Sequence, residues 1–331
     1  MAQETFMSML KDIINKLEDG TILNNGKKLS YSTIKSYKGV YNTMTGYNFD
    51  FNLDDLDLNS ISDRRSRVRV KKKLQGHVNK YLNMLQEDCK HPNTRRSHLK
   101  TVRTTLKKIE EEYGYWFPKL QSMKSVQGEV IAMSPEQVEL IHTCMPIDPK
   151  LHDTWYYTRL MLISCMRISD LVKFECDVNG DAVTIITTKG MGAISTFYLP
   201  PDIKDFVTSN TYEYTPKAFR HNLKSLLKNY DEFNKTKIVY DFDHEGHPKK
   251  EEKFLWELYT PHKLRSSGIT YHLSKGLSEF EVRQISGHSN GSVAFFRYVK
   301  HIEANSIDKQ KKALTEIYPG LEKNVNMLIT Y

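Results

Sequence analysis

Apolar residues recur every three or four positions through the front of the chain, between recognisable helix starts and stops. A first helix is predicted to end at Gly20, and its apolar stripe consists of Phe6, Met9, Leu10, Ile13, Ile14 and Leu17. A second helix is predicted to start near Ser30 or Ser32 and to run to about Gly46, and a third to span roughly residues 61–87. These segments indicate a small helical domain.

A fourth helix follows the same pattern and has two different faces. It is predicted to begin after Pro92, with Asn93 or Thr94 as its N-cap, and to end at Gly114. One face of this helix is apolar and the other is basic. Helical periodicity then fades, so residues 121–133 are predicted to link this domain to the next.

The pattern beyond residue 133 indicates a second domain of helices and strands. Residues 134–137 read Ser-Pro-Glu-Gln, a capping box with proline at the first helical position, and residues 153–173 are typical of a buried helix pair. Residues 182–188 and 194–199 are typical of strands and flank a Lys-Gly-Met-Gly turn, which predicts a hairpin with a basic tip. Helices resume from about Lys217.

Together these elements predict an α+β protein that is mostly α-helical. A chain of 331 residues is more than one core usually organises, and a composition of 39% hydrophobic and 27% charged residues excludes disordered and collagen-like classes. The predicted domains are a helical domain over 1–120, the linker over 121–133, and a mixed helical domain with a small antiparallel sheet over 134–331, with a C-terminal tail from about residue 302.

Other patterns bear on the cellular setting. The longest apolar run, residues 160–166, is too short to cross a bilayer, and no secretion signal is visible. The four cysteines include no C-x-x-C pair, so neither a disulfide framework nor a zinc site is indicated. Residues 244–247, His-Glu-Gly-His, lack the spacing of a zinc protease helix and are predicted to be a loop. We therefore expect a cytoplasmic protein without a membrane partner or a bound metal.

Positive charge is concentrated in the front of the chain. The net charge is +8, and residues 58–109 alone contain 15 basic and 3 acidic side chains. One such run is usually a solvated helix face, whereas two runs on neighbouring helices favour contact with a polyanion. The residues predicted to make this contact are Arg64, Arg65, Arg67, Arg69, Lys71, Lys72, Arg95, Arg96, Lys100 and Arg103.

Two local signatures in the second domain carry residues suited to phosphate chemistry. Residues 260–261, Thr-Pro, predict a helix start that places His262 and Arg265 three positions apart on one face. Residues 278–281 form a capping box for a helix that ends just before His288. Each signature alone is more often a surface turn than a site.

Taken in order, five features resemble the signature of the tyrosine recombinase (phage integrase) family. That family has an Arg-x-Ser-Glu-Leu box, a hairpin lysine, a His-x-x-Arg box, a Gly-His dipeptide and a tyrosine in this succession. The matching positions here are Arg167-Ile168-Ser169-Asp170-Leu171, Lys189, His262-x-x-Arg265, Gly287-His288 and Tyr298. The resemblance covers residues 134–300 strongly and the basic helical front part more loosely.

The sequence also departs from the family pattern. Asp170 stands where the family usually has glutamate, which shortens a mainly structural carboxylate. Cys165 and Met166 stand where glycine and leucine are common, which alters local packing. The interval from His288 to Tyr298 is ten residues, one more than is common in the family.

The resemblance implies an integrase-like fold, with a helical, SAM-like core-binding domain followed by a catalytic domain. It implies a site-specific recombinase that cuts and rejoins double-stranded DNA through a 3′-phosphotyrosine, without a cofactor or metal. It further implies a homo-tetramer on DNA, and a monomer free in solution is compatible with it. The residues implied to surround the scissile phosphate are Arg167, Lys189, His262, Arg265 and His288, with Tyr298 as the nucleophile.

Two alternatives remain open from the sequence. Type IB topoisomerases use the same residue types to relax supercoils without exchanging partners. A DNA-binding architectural factor with an inert site is the alternative from a different class. The sequence does not indicate the target DNA or the choice among integration, excision, inversion and resolution, because readout depends on base contacts and DNA deformability.

Overall fold

Two separate apolar cores organise this chain. The computed structural model describes residues 4–23, 28–59, 61–126, 128–172, 174, 176–179, 182–187, 194–210, 212 and 214–304. The chain divides into two units, of which the first comprises Met1–Gly128 and Tyr240–Lys250 and the second comprises Glu129–Val239 and Glu251–Tyr331. Each unit has its own cluster of buried apolar side chains.

The described residues of the first unit contain the four predicted α-helices. Their bounds are α1 Phe6–Asp19, α2 Tyr31–Gly46, α3 Arg64–Glu87 and α4 Pro92–Tyr113. Helix α1 ends at Gly20, whose φ of 87° is a left-handed conformation that glycine adopts without strain. The N-cap of α2 is Ser30, whose hydroxyl accepts a hydrogen bond from the Thr33 N–H.

The N-cap of α4 differs from the prediction. His91 is the cap, and its ring Nδ1 accepts a hydrogen bond from the Asn93 N–H at 3.1 Å. Pro92 then occupies the first helical position, where its missing N–H costs no hydrogen bond. The prediction of Asn93 or Thr94 was wrong because an imidazole nitrogen can accept the bond that a shorter polar side chain usually accepts.

The remaining described residues contain nine α-helices and five strands. The helices are α5 Pro135–Thr143, α6 His152–Ser164, α7 Ile168–Leu171, α8 Pro201–Ser209, α9 Pro216–Lys228, α10 Leu255–Leu258, α11 Pro261–Ser274, α12 Glu279–Ser286 and α13 Val293–Ala304. The strands are β1 Cys176–Asn179, β2 Ala182–Ile186, β3 Ile194–Tyr198, β4 Thr236–Phe242 and β5 Pro248–Phe254. The fold is therefore mostly helical with small antiparallel sheets, which confirms the predicted class.

Strands β1, β2 and β3 form one antiparallel sheet in that order. Strands β2 and β3 pair from Ala182 opposite Tyr198 to Ile186 opposite Ile194, so the predicted hairpin is confirmed. The sequence pattern does not predict β1, because a four-residue strand is too short for alternation to be recognised.

Strands β4 and β5 form a second hairpin that the sequence pattern does not predict. Strand β5 reads Pro-Lys-Lys-Glu-Glu-Lys-Phe, a composition with little intrinsic strand preference, so its pairing with β4 decides its conformation. Residues 244–247 lie in the turn of this hairpin, as the loop prediction expects. No helix within the described ranges combines the length and apolar character of a bilayer span.

The centre of the second unit is the packing of α6 against α11. Leu160 and Met161 on α6 and Leu264 and Ile269 on α11 are essentially fully buried. Apolar residues surround both helices, as expected for helices buried on most sides. This arrangement fixes the end of α6 and the beginning of α11 relative to each other.

Candidate active site

Arg265 lies one turn inside α11 and is almost completely buried, with 2% of its surface exposed. Its Nη1 donates to the carbonyl of Cys165 at 2.5 Å, and its Nη2 donates to the carbonyl of Ser286 at 2.7 Å. Burial, followed by the charge of Arg167, lowers the pKa of Arg265 to about 10. The guanidinium therefore stays charged at neutral pH and is held in one orientation by two backbone groups.

The position of the Cys165 carbonyl depends on close packing between α6 and α11. Cys165 ends α6 in the left-handed conformation, with a φ of 51°, and its side chain is fully buried. A Cβ atom at Gly268 would lie 2.2 Å from the Leu162 carbonyl oxygen and 2.9 Å from the Cys165 Sγ. Glycine at 268 therefore allows the approach that brings the Cys165 carbonyl to Arg265.

Arg167 precedes the short helix α7 and is restrained by Asp170. The Arg167 N–H donates to Asp170 Oδ2 at 3.1 Å, and Arg167 Nη1 lies 3.8 Å from the same oxygen. Nη1 is buried, and no described residue accepts a hydrogen bond from it. Asp170 thus caps α7 and orients an arginine that keeps donor capacity for a further anionic group.

His288 follows the left-handed Gly287 at the end of α12. Its Nδ1 lies 2.7 Å from Ser286 Oγ and 3.2 Å from Arg265 Nη2. Burial, followed by the charges of Arg265, Arg167 and Arg283, lowers the pKa of His288 to about 3. The imidazole is therefore neutral at physiological pH.

Tyr298 lies on α13 within a small buried cluster beside His288. The Tyr298 ring centroid is 6.3 Å from that of His288 and 6.5 Å from that of Phe295, both in edge-on contact. Tyr298 is 9% exposed and lies within electrostatic range of the Arg265 guanidinium. The phenol is thus held beside the imidazole and near the buried guanidinium.

An open cleft of about 470 Å³ is lined in part by Arg167, Gly287 and His288, while Arg265 and Tyr298 lie buried behind His288. Four of the six residues predicted for the site lie together, namely Arg167, Arg265, His288 and Tyr298. His262 is on the first turn of α11, one turn before Arg265, with an exposed side chain. Lys189 lies outside the described residues.

Two residues that the sequence analysis did not single out hold this site together. Ser286 supplies a carbonyl to Arg265 and a hydroxyl to His288. Arg283 is 8% exposed, donates to the carbonyls of Ser289 and Asn290, and lies over the Phe295 ring at 4.1 Å. They lie two and five residues before His288, and no sequence pattern marks either position. Only the fold reveals these contacts.

The basic residues predicted in the first unit fall into two groups. Arg95 is 7% exposed and donates to the Gln86 side chain and to the His244 carbonyl, so it holds the 240–250 segment and is not on the surface. The other nine are exposed: Arg64, Arg65, Arg67, Arg69, Lys71 and Lys72 on α3 and Arg96, Lys100 and Arg103 on α4.

Helix α9 carries a cationic stripe that regional charge counting missed. Its four members are spaced at i, i+3, i+7 and i+11, which places them on one face: Lys217, Arg220, Lys224 and Lys228. Lys228 Nζ lies 4.0 Å from the centre of the Trp256 ring. The helical spacing of these residues is a signal that could have identified the stripe, although acidic residues elsewhere in this unit cancel its charge.

One group of side chains in the β4–β5 turn has the composition of a cation site. Asp243, Glu245 and His247 can each offer one ligand atom, and these atoms lie within 4.8 Å of one another. Asp243 Oδ1 also accepts hydrogen bonds from the N–H groups of Glu245, Gly246 and His247 at 2.8 to 2.9 Å. Formation of the tight turn therefore accounts for the position of this carboxylate.

We expect the second unit to lose stability below neutral pH because it buries neutral histidines. The pKa of His288 is lowered from 6.5 to about 3 and that of His142 to about 4, the latter chiefly by burial. Below pH 6.5 the unfolded chain binds protons that the native state does not bind, so the free energy of unfolding falls as pH decreases towards the native pKa values. The expected loss at pH 5 is about 2 kcal/mol per histidine.

Thermal unfolding between pH 7.5 and 5 measures this effect. The His142→Phe variant keeps an aromatic ring beside Tyr271 but cannot titrate, so the share of the pH dependence that His142 contributes should disappear. An unchanged melting temperature for the wild type across this range would contradict the expectation.

No protein-family model matches this sequence, and no curated protein sequence matches it. Solved structures do match. The Tn1549 transposon integrase in complex with transposon right end DNA is 12% identical with a TM-score of 0.58, covering 96% of this chain and 100% of that chain. A lambda integrase tetramer bound to a Holliday junction is 14% identical with a TM-score of 0.55, covering 89% and 78%. The XerH site-specific recombinase bound to difH substrate is 13% identical with a TM-score of 0.51, covering 91% and 84%.

These matches define the class of fold. The chain has the fold of the integrases and site-specific recombinases, with small antiparallel sheets in a mostly helical structure. The similarity extends over most of the chain, and it agrees with the tyrosine recombinase fold that the sequence resemblance implies.

Proposed function

We propose that this protein is a site-specific tyrosine recombinase that cleaves and rejoins DNA strands through a 3′-phosphotyrosine. The observation that carries the proposal is the convergence of Arg167, Arg265, His288 and Tyr298 beside one open cleft. The four residues come from widely separated positions in the sequence. They meet in a chain that has the integrase fold.

The two arginines supply the positive charge that the reaction needs. Attack on a phosphodiester adds negative charge to the nonbridging oxygens, and guanidinium groups offer fixed forks of donors to such oxygens. Arg265 is already oriented by the carbonyls of Cys165 and Ser286. Arg167 brings a buried Nη1 that no described residue satisfies, so a phosphate oxygen can accept its hydrogen bond.

In the proposed reaction the Tyr298 oxygen forms a bond to phosphorus while the bond from phosphorus to the 5′ oxygen of the DNA breaks. The phenolic proton passes to a neutral imidazole or to water, and Lys189 protonates the departing 5′ oxygen as general acid. His288 is neutral and lies beside Tyr298, and because its pKa is low its ring N–H is suited to donate to a phosphate oxygen. His262 serves the same phosphate from the first turn of α11.

The covalent link conserves the energy of the broken phosphodiester bond. A 5′ hydroxyl from another strand can therefore attack the phosphotyrosine and reseal the DNA without ATP. Because the arginines provide the positive charge, the proposed reaction requires neither a metal ion nor a cofactor.

Three cationic surfaces are proposed to contact duplex DNA. Helix α4 carries a stripe at i, i+4, i+7 and i+11, namely Arg96, Lys100, Arg103 and Lys107. The first half of α3 is basic around its exposed circumference, and α9 carries the stripe described above. Contacts to phosphates from such residues determine affinity and its dependence on salt.

Residues 1–120 would form the core-binding domain and residues 134–331 the catalytic domain, joined by the 121–133 linker. The solved lambda integrase structure is a tetramer on a Holliday junction, and we propose the same assembly for this chain on DNA. The tail from about residue 302 is proposed to pack on a neighbouring subunit, although residues 305–331 lie outside the described part of the chain. We further propose that the protein acts on DNA in the cytoplasm.

A nicked suicide duplex tests the proposal directly. DNA that flanks the encoding gene supplies the candidate sequence, and cleavage releases a short strand so that the covalent intermediate accumulates. We expect a protein–DNA adduct on a denaturing gel, with the DNA attached to the peptide that contains Tyr298. Relaxation of plasmid without site preference would indicate a topoisomerase, and binding without any adduct would indicate an architectural factor.

A further inference from the structure

A polar cleft between α2 and α4 in the first unit is separate from the catalytic cleft. Its volume is about 500 Å³, and Ser32 and Ser36 on α2 face Thr101 and Thr104 on α4 across it. Lys100 and Lys108 also line the cleft, and no acidic residue is among its described lining. Ser32, Ser36 and Lys100 are exposed, whereas Lys108 is buried, so the cleft leads from the surface to a buried lysine.

Lys108 is the unusual member of this set. It is only 6% exposed, and among the described residues no carboxylate pairs with it and no group accepts a hydrogen bond from its ammonium. Lysine is rarely buried without a partner, because an unpaired ammonium loses its hydration. The folded protein therefore holds an ammonium without a partner among the described residues, carried on a mostly buried side chain, in a cleft that is lined with hydroxyl groups.

The hydroxyl groups can serve as additional donors. Ser36 Oγ now donates to the Ser32 carbonyl and Thr101 Oγ1 to the Ser97 carbonyl, both at 3.3 Å. These bonds are long, and a rotation about each side chain would exchange them for bonds to a ligand. An oxyanion with several acceptor oxygens matches a set of lysines and hydroxyls without a competing carboxylate.

We propose that this cleft binds one backbone phosphate of duplex DNA and that the ammonium of Lys108 pairs with this phosphate. DNA is favoured as the source of the phosphate because the basic stripe of α4 that contains Lys100 borders the cleft on the same helix. This assignment rests on the proposed function and adds a specific phosphate contact to it. Lys108 thus has no partner for its charge in the described part of the chain and is available to pair with a phosphate.

The Lys108→Met variant tests the proposal because it keeps side-chain length and removes only the charge. We expect the melting temperature to stay the same or to rise, since no described protein partner of the ammonium is lost. We also expect duplex DNA to bind about tenfold more weakly, and the slope of log K against log salt to decrease in magnitude by about 0.9, one phosphate contact. The control Lys11→Met removes an exposed charge of α1 and should change neither quantity.

The possible outcomes distinguish failure of the proposed phosphate contact from failure of the proposed recombinase function. An unchanged salt slope in Lys108→Met would contradict the proposed phosphate contact at this cleft. A fall in both stability and DNA affinity would also contradict it and would show that Lys108 has a structural role. If inorganic phosphate stabilises the wild type while the salt slopes of the two proteins agree, the cleft holds a free anion and the DNA assignment is wrong. The suicide duplex tests Tyr298 independently. If Lys108→Met changes DNA binding as expected but the wild type forms no adduct, the phosphate contact is supported and the recombinase function is contradicted.

Discussion

The Tyr298→Phe protein is expected to bind a nicked suicide duplex as the wild type does but to form no covalent adduct. Phenylalanine keeps the ring that packs against His288 and Phe295 and removes only the hydroxyl, so the fold should be unaffected. Loss of the nucleophilic oxygen removes the group that forms the phosphotyrosine, and we expect adduct formation to fall by at least about 1,000-fold. A denaturing gel measures the adduct, and a mobility shift measures binding.

Tyr198→Phe is the matched control for this experiment. Tyr198 is on β3 in the same unit and is 58% exposed, so loss of its hydroxyl should leave both binding and adduct formation unchanged. An adduct of wild-type yield in the Tyr298→Phe protein would show that the nucleophile is another residue. Tyr298 lies ten residues after His288, one more than is common in the family. The experiment therefore also tests whether Tyr298 is the tyrosine that acts as nucleophile.

Helix ends were the most predictable part of this fold, because they depend on a few neighbouring residues. Gly20 and Gly287 end their helices in the left-handed conformation, and the capping box at residues 134–137 opens α5. The β2–β3 hairpin was predictable for a similar reason, since its alternating pattern and its turn are both local. Strand β5 was not, because its conformation depends on pairing with β4.

The candidate site shows the same division between local and long-range information. The order of Arg167, Arg265, His288 and Tyr298 singled out residues that the structure brings together, since residue type and succession are properties of the sequence. Their supports were not predictable, because the groups that hold Arg265 are main-chain carbonyls, which every residue has. Burial of Arg95 was equally hidden, because its partner at His244 is remote in sequence.

Charge counting failed in a different way. It located the basic front of the chain, but a count does not distinguish buried from exposed side chains and sums opposite charges over long regions. Lys108 is buried in a cleft, and the α9 stripe is cancelled in the sum by acidic residues outside that face. Position around the helix, rather than regional net charge, carries the information that distinguishes such residues.

The Gly268→Ala substitution is expected to have the second largest effect on activity, through a residue that does not touch DNA. The new Cβ would lie 2.2 Å from the Leu162 carbonyl oxygen, which is backbone and cannot rotate away, so α6 and α11 must separate. Overpacking of this kind costs about 1–3 kcal/mol. Separation also moves the Cys165 carbonyl away from Arg265, whose orientation should then loosen, and we expect adduct formation to fall by about 100-fold.

Gly76→Ala provides a control of opposite sign. Gly76 is inside α3, and apart from its chain neighbours and the nearby backbone of its own helix, no atom of the described residues lies within 4 Å of the position that an alanine Cβ would take there. Alanine at this position should therefore stabilise the first unit by about 1 kcal/mol through helix propensity. Denaturant unfolding and the suicide-duplex adduct should be measured on both variants under conditions in which each remains folded.

The two measurements together distinguish a role in positioning from a role in folding. If Arg265 depends on this packing, Gly268→Ala loses cleavage while its DNA affinity is retained, because the cationic stripes of α4 and α9 are unchanged. A Gly268→Ala protein that is destabilised but cleaves at the wild-type rate would show that the contact between α6 and α11 serves folding alone.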